Sequence, residues 1–202
     1  MLLALDTSAG SSVAVIDGDL VLSELSTEDT MRHAEVIGEL IAGALGEAGV
    51  DGSRIRTVVS GMGPGPFTGL RVGIAAARAF AWGVGAELLP ATSHDAVAFG
   101  EWEAGFHGPL LVVTDARRRE LYWSSYDVAE SGIARTDGPA LCKPDEVPYP
   151  DFERVDATQV SAGALGRHAW AERQRGVVEE FGEPLYLRAP DVTVPGARKR
   201  VS

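Results

Sequence analysis

Between Ser60 and Gly83 the chain reads Ser-Gly-Met-Gly-Pro-Gly-Pro-Phe-Thr-Gly-Leu-Arg-Val-Gly-Ile-Ala-Ala-Ala-Arg-Ala-Phe-Ala-Trp-Gly, and this stretch restricts the fold more than any other. An apolar run at Ile55 to Val59 precedes it, alternating Gly and Pro break it, and Thr68 stands as the expected N-cap of a helix that continues to Gly83. The order is strand, tight loop, helix. From Leu70 to Trp82 the only charges are Arg71 and Arg78, seven apart and therefore on one face. A surface helix is ordinarily apolar on one stripe alone, so a helix this uniformly small or apolar is expected to be covered on more than one side. Gly69 and Gly73 are four apart, and Ala75, Ala76, Ala77, Ala79 and Ala81 keep the surface low. Each interior glycine costs roughly 0.5–1 kcal/mol relative to alanine, which implies a packing reason for the pair. The expected second cover is another subunit.

Upstream, Leu2 to Leu5 reads as a strand closed by Asp6-Thr7-Ser8-Ala9-Gly10, Ser12 to Ile16 as its return, and Asp17-Gly18 as a hairpin into a third strand from Leu20 to Leu25. A helix over 34–48 follows, with Ile37, Leu40, Ile41, Ala44, Leu45 and Ala48 inward, ended by Gly49 and Asp51-Gly52. Its opposite face carries Gly38, Ala42 and Gly46, with Gly43 beside them. This reads either as a second flat surface or as a weak surface helix.

Downstream come a strand near 87–89, a helix over 93–99 and a boundary between halves in the Gly-rich segment 100–109. Leu110 to Thr114, closed by Asp115, and the return strand from Leu121 to Tyr126 repeat the grammar of residues 2–16, which points to an internal duplication. Residues 132–157, with Pro139, Pro144, Pro148 and Pro150, read as turns around short strands, and a helix is expected over 165–175. Residues 1–100 and 101–202 are thus expected as two subdomains, the tail from about 190 being extended or disordered.

A chain of 202 residues with 45% hydrophobic and 23% charged side chains is an ordinary globule. No apolar run reaches eighteen residues and no charged leader opens the sequence, so neither a membrane span nor a signal peptide is expected. The single cysteine, Cys142, cannot form an internal disulfide, which fits a cytoplasmic location. A net charge of −11 repels a phosphate backbone and argues against autonomous nucleic-acid binding. The basic triplets Arg117-Arg118-Arg119 and Arg198-Lys199-Arg200 read as solvated edges or tails.

The Gly-rich loop is neither a P-loop nor a dinucleotide fingerprint, so it reads as a tight connection or as an anion cradle at a helix N-terminus. Asp6 and Asp115 close equivalent strands, from which paired carboxylates could hold magnesium or orient a water, with Thr7 beside the first. Aspartate is equally a common strand terminator. His33, His94, His107 and His168 are scattered without metal spacing, and neither a nucleophile elbow nor a base for Cys142 is present.

Leu3-Ala-Leu-Asp-Thr-Ser, the element from Gly61 to Gly73, Thr114-Asp-Ala-Arg with Glu120-Leu-Tyr-Trp, and Tyr186-Leu-Arg together resemble the TsaB (formerly YeaZ) family over most of the chain. The resemblance implies an α/β chain of the actin/Hsp70/sugar-kinase-like (ASKHA) fold, with two duplicated mixed-sheet subdomains. It implies a non-catalytic subunit in the synthesis of threonylcarbamoyladenosine on tRNA, partnered by a TsaD-like catalytic subunit and a TsaE-like ATPase, with a homodimer in the absence of the partner. Contact with tRNA would be indirect. No intrinsic cofactor is implied, and ATP or ADP is left as a candidate for the subunit junction. The helical interface would comprise Gly38, Ala42 and Gly46 on one helix, and Gly69, Arg71, Val72, Gly73, Ala75, Ala76, Arg78 and Ala79 on the other. Pro66 departs from the serine common in the family and removes a hydroxyl there. Two further readings stand beside this one: an ATPase or phosphotransferase using Asp6 and Asp115 across an interdomain cleft, and a peptidase, for which no motif is found.

Overall fold

The computed structural model describes residues 1–28, 32–177 and 183–188. Strands β1 (Leu2–Asp6), β2 (Ser11–Asp17), β3 (Leu20–Thr27), β4 (Thr57–Gly61) and β5 (Glu87–Ala91) form one sheet in the order β3-β2-β1-β4-β5. β1, β2 and β3 are an antiparallel meander, and β4 and β5 continue parallel to β1. The parallel steps need crossovers, which the helices α1 (His33–Ala48) and α2 (Phe67–Val84) supply.

Both faces of this sheet are covered, which explains why its central strands read as unbroken apolar runs rather than as alternations. Leu3, Leu5, Val13, Val15 and Val58 point to Ile37 and Ala44 of α1 and Ala77 and Ala81 of α2. Leu2, Ala4, Ala14, Ile16 and Val59 point the other way, toward α4 (Ala162–Gln174) and Ala96 of α3 (Ser93–Glu103).

The second sheet repeats the device: β6 (Gly108–Asp115), β7 (Leu121–Ala129), β8 (Gly132–Cys142) and β9 (Glu153–Asp156) lie in the order β8-β7-β6-β9. β6 pairs antiparallel with β7 and parallel with β9, as β1 does with β2 and β4. The duplication read from residues 2–16 and 110–126 is therefore a duplication of topology, and the α/β class with two mixed sheets is as expected. One face of the second sheet packs on Ala98 of α3, while the other is closed by Val147, Tyr149 and Phe152 rather than by a helix.

Several boundaries move. Residues 132–157 are not turns around short strands, because β8 runs eleven residues with Pro139 inside it. The strand tolerates proline as an edge strand with register shifts opposite β7. α3 extends through Glu103, into the segment 100–109 taken as a boundary. α4 begins at Ala162, earlier than 165, because Ser161 accepts a hydrogen bond from Ala164 N at 3.0 Å. α2 starts at Phe67 with Pro66 extended at the N-cap position, so Thr68 is already helical and caps nothing. The tail expected beyond about residue 190 lies outside the described residues.

Candidate functional site

Where β1, β6 and β9 end, a cleft of about 620 Å³ opens between the sheets, walled by Ser8, Pro66 and Thr68 on one side and Thr114, Asp115, Arg117 and Asp156 on the other. The aspartates that close β1 and β6 do the same local work. Asp6 Oδ1 accepts from Ser8 N at 2.7 Å, and Asp115 Oδ1 accepts from Arg117 N at 2.8 Å, each two residues on. The repeated aspartate is a turn lock.

Beyond that the two differ. Asp6 is 1% exposed and sits behind the cleft, its Oδ1 also taking Ser8 Oγ at 2.6 Å and its Oδ2 taking Ser93 Oγ at 2.5 Å. Burial pushes its carboxyl above the ordinary value, and the Ser8 and Ser93 hydroxyls only partly oppose that shift. Thr7 is buried too, its hydroxyl donating to Gly69 O at 2.8 Å. Asp115 alone of the three faces the cleft. The expected pair of carboxylates across the cleft is therefore not formed, because the first is consumed in fastening β1 to α3. Among the described residues no cluster of His, Cys, Asp and Glu is placed to hold a metal.

Three consecutive residues at the start of α3 bind both sheets together. Ser93 reaches Asp6 of β1; His94 bridges Ser124 Oγ (2.8 Å) on β7 and Thr114 Oγ1 (2.9 Å) on β6; Asp95 accepts from Tyr126 of β7 at 2.7 Å. His94 is buried, and that burial, helped by Arg135, lowers its ring pKa to about 3. Nothing in the sequence marked this junction, since its partners lie up to 87 positions away.

The glycines of the two helices divide by orientation. A Cβ at Gly69 would stand 2.6 Å from Thr7 O, and one at Gly73 would overlap Thr7 Oγ1. Both face inward, so their assignment to a flat outer face is corrected: they let α2 lie on the turn after β1. Gly43 likewise faces Leu25 of β3. Gly38 and Gly46 behave oppositely, with nothing within 4 Å of a Cβ, and with Ala42 they form an exposed stripe on α1. Of the other positions expected at the α2 interface, Arg71, Ala75, Arg78 and Ala79 are exposed, Val72 and Ala76 being half-buried between the helices and the sheet.

The same stripe ends on Trp82, which is 90% exposed. Trp82 lies four residues beyond Arg78 and was readable as its neighbour on one face. Arg71 is held at the other end. Its guanidinium lies 5.1 Å from the Phe67 ring centroid and 5.5 Å from that of Tyr186, its Nε donates to Tyr186 OH at 3.1 Å, and the two rings stack at 4.3 Å. Residues 183–188 thus cross the start of α2, fastened by Leu185 N to Met62 O at 2.9 Å, and reach the second half through an Arg188–Glu120 ion pair.

Comparison with known proteins agrees with this architecture. The family model described as TsaD, tRNA N6-adenosine threonylcarbamoyltransferase, matches residues 21–167. An uncharacterized protein of Mycobacterium tuberculosis is 37% identical, spanning 94% of this chain and 92% of its own length. The tRNA threonylcarbamoyladenosine biosynthesis protein TsaB of Escherichia coli is 27% identical, spanning 95% of this chain and 83% of its own length. A solved Pseudomonas aeruginosa protein described as similar to peptidase YeaZ superposes with a TM-score of 0.79 at 25% identity, covering 93% of this chain and 99% of that one. With the repeated sheet topology and the Gly-rich turn into α2 already in place, the chain belongs to the family that the tRNA N6-adenosine threonylcarbamoyltransferase model describes, and within it is a TsaB (YeaZ) homologue.

Proposed function

We propose that the chain is a non-catalytic scaffold in the synthesis of threonylcarbamoyladenosine on tRNA, the process named for its Escherichia coli relative. It docks the outward face of α1 and α2 on a TsaD-like catalytic subunit, and a TsaE-like ATPase joins the pair. The observation that carries this reading is Trp82, almost wholly in solvent at the end of a stripe of alanines, beside a helix whose outer glycines meet nothing in their own chain. A solvated helix gains nothing from glycine, which weakens it, or from a bare indole, which prefers burial. Both become useful when another backbone approaches.

Charge supports a partner of related fold. The exposed side of α1 carries Glu35, Glu39 and Glu47, and that of α2 carries Arg78. A two-fold or pseudo-two-fold pairing sets the first helix against the second helix of the partner, acid against base. That the TsaD model matches this chain is consistent with two such related helix pairs meeting, and a homodimer uses the same face when the partner is absent. In this reading the chain works in the cytoplasm and holds no cofactor of its own, and ATP or ADP has its place at the junction. Among the described residues no helix is long and apolar enough to cross a membrane.

Co-expression with a TsaD homologue tests it. Trp82→Glu and Ala79→Glu, both at exposed positions, are expected to weaken the complex at least thirtyfold, about 2 kcal/mol, while the isolated variants melt as the wild type does. Recovery of either variant with the partner at wild-type yield would remove the scaffold reading.

A further inference from the structure

On the face of the first sheet opposite α1 and α2, a second pocket of about 310 Å³ opens between the two sheets. β5, the first turn of α3 and the second half of α4 wall it on one side, and the start of β8 walls it on the other. Its apolar lining includes Leu89, Ala91, Ile133, Ala169 and Val177. Small-molecule sites begin at about 300 Å³, so the space suits one compact molecule rather than a nucleotide. Water in contact with such walls is poorly bonded, and its release favours an apolar occupant.

The charged groups of the wall are already engaged. Asp95 Oδ1 takes Tyr126 OH at 2.7 Å and lies 3.4 Å from Arg135 Nε, and Glu172 pairs with Arg175 one turn on. A charged ligand would have to break into one of these pairs and strand its other member away from bulk water.

His168 is the exception. It is 9% exposed, lines the pocket, and rests on Phe99 with 5.3 Å between ring centroids, yet among the described residues it has no hydrogen-bond partner. Burial, with Arg175 and Arg135 adding to it, lowers its pKa to about 4, so at pH 7 the ring is neutral and presents one N–H and one lone pair. A leucine or phenylalanine would fill the same place on α4 without taking two ring nitrogens out of water. An imidazole is explained there if an occupant of the pocket bonds to it.

We propose that this pocket binds an uncharged, mainly apolar small molecule, of the class of an aromatic amide, through a hydrogen bond to His168. An amide carries both a donor and an acceptor, so it pairs with whichever ring nitrogen the tautomer offers. The pocket lies across the sheet from the helical face of α1 and α2, so the isolated chain carries this site whether or not it docks a partner.

The test titrates the isolated full chain with benzamide, benzoate and benzamidine, which share one size and shape and are neutral, anionic and cationic at pH 7, and follows the His168 ring by NMR and the melting temperature. Expected are saturable shifts of the His168 ring signals by benzamide with a dissociation constant of about 1 mM or tighter, a rise in melting temperature at saturation, and binding of the two ions weaker by about tenfold or more. Two variants place the site. His168→Phe keeps a ring beside Phe99 and removes the nitrogens, and Ala134→Phe, at an exposed position on the β8 wall, intrudes on the pocket. Each is expected to weaken benzamide about tenfold or more while melting no lower than the wild type.

Absence of saturable shifts in the wild type overturns the proposal, as does benzamide affinity unchanged in Ala134→Phe. A folded His168→Phe that binds benzamide as the wild type does overturns the role of the imidazole, and ions that bind as tightly as benzamide overturn the uncharged class. If His168→Phe does not fold, Ala134→Phe decides: lost affinity upholds the site and retained affinity removes it.

Discussion

Gly73→Leu is expected to destabilise the fold itself, although from the sequence it had the look of an interface variant. Gly73 lies over Thr7, where even a Cβ has no room, and Thr7 is itself buried with its hydroxyl committed to Gly69 O. Overpacking a close-packed site costs about 1–3 kcal/mol, and a buried hydroxyl torn from its acceptor costs a similar amount. The sum of roughly 2–6 kcal/mol corresponds to a melting temperature on the order of 10 °C lower for a chain of this size. Gly38→Leu is the matched control: its Cβ enters open space, so the isolated chain keeps its stability while docking fails. Thermal melts of the two variants separate the claims, and equal melting temperatures would show the inward orientation of Gly73 to be wrong.

That contrast also shows where reading the sequence ran out. Gly38, Ala42 and Gly46 on one helix, Gly69 and Gly73 on the next, share a four-residue spacing and a setting of small residues. Periodicity finds the buried side of a helix by contrast between apolar and polar positions, and α1 has that contrast in Ile37 and Ala44 against Glu35, Glu39 and Glu47. Over most of its length α2 has none, so nothing local says whether its glycines look in or out. The strand runs, the hairpin at Gly18 and the repeated strand-Asp-turn unit were legible because each depends on neighbours in sequence. The Asp6–Ser93 bond, the His94 bridge and the Tyr186 strap were not, because each joins residues far apart that only the finished fold brings together. Asp6 is the instructive case: its place at the end of β1 was read correctly, and its role followed from Ser93, which no motif pointed to.

Acid is expected to unfold the chain earlier than its carboxylates alone would, through two histidines. His94 titrates at about 3 and His168 at about 4, burial being the first cause in each, with Arg135 adding to the first and Arg175 and Arg135 to the second. The folded chain thus holds both rings neutral where the unfolded chain, with ordinary values near 6.5, takes up protons. A lowered folded value for a base means that stability is full above the unfolded value and falls as the pH drops below it. Each ring contributes about 1.4 kcal/mol per pH unit across that window, so by pH 4 the pair removes roughly 6 kcal/mol, comparable with the whole stability of many domains. Asp6 acts in the opposite sense, since burial raises its carboxyl and protonation relieves it, which makes the net loss smaller than the two rings alone would give. Denaturant unfolding between pH 7 and pH 4 reads the slope directly. His94→Gln, which keeps an amide between Ser124 and Thr114, is expected to lower stability at pH 7 but to flatten that slope by about one proton. A variant whose stability falls with pH as steeply as the wild type would show that the bridge between the sheets is not what acid breaks.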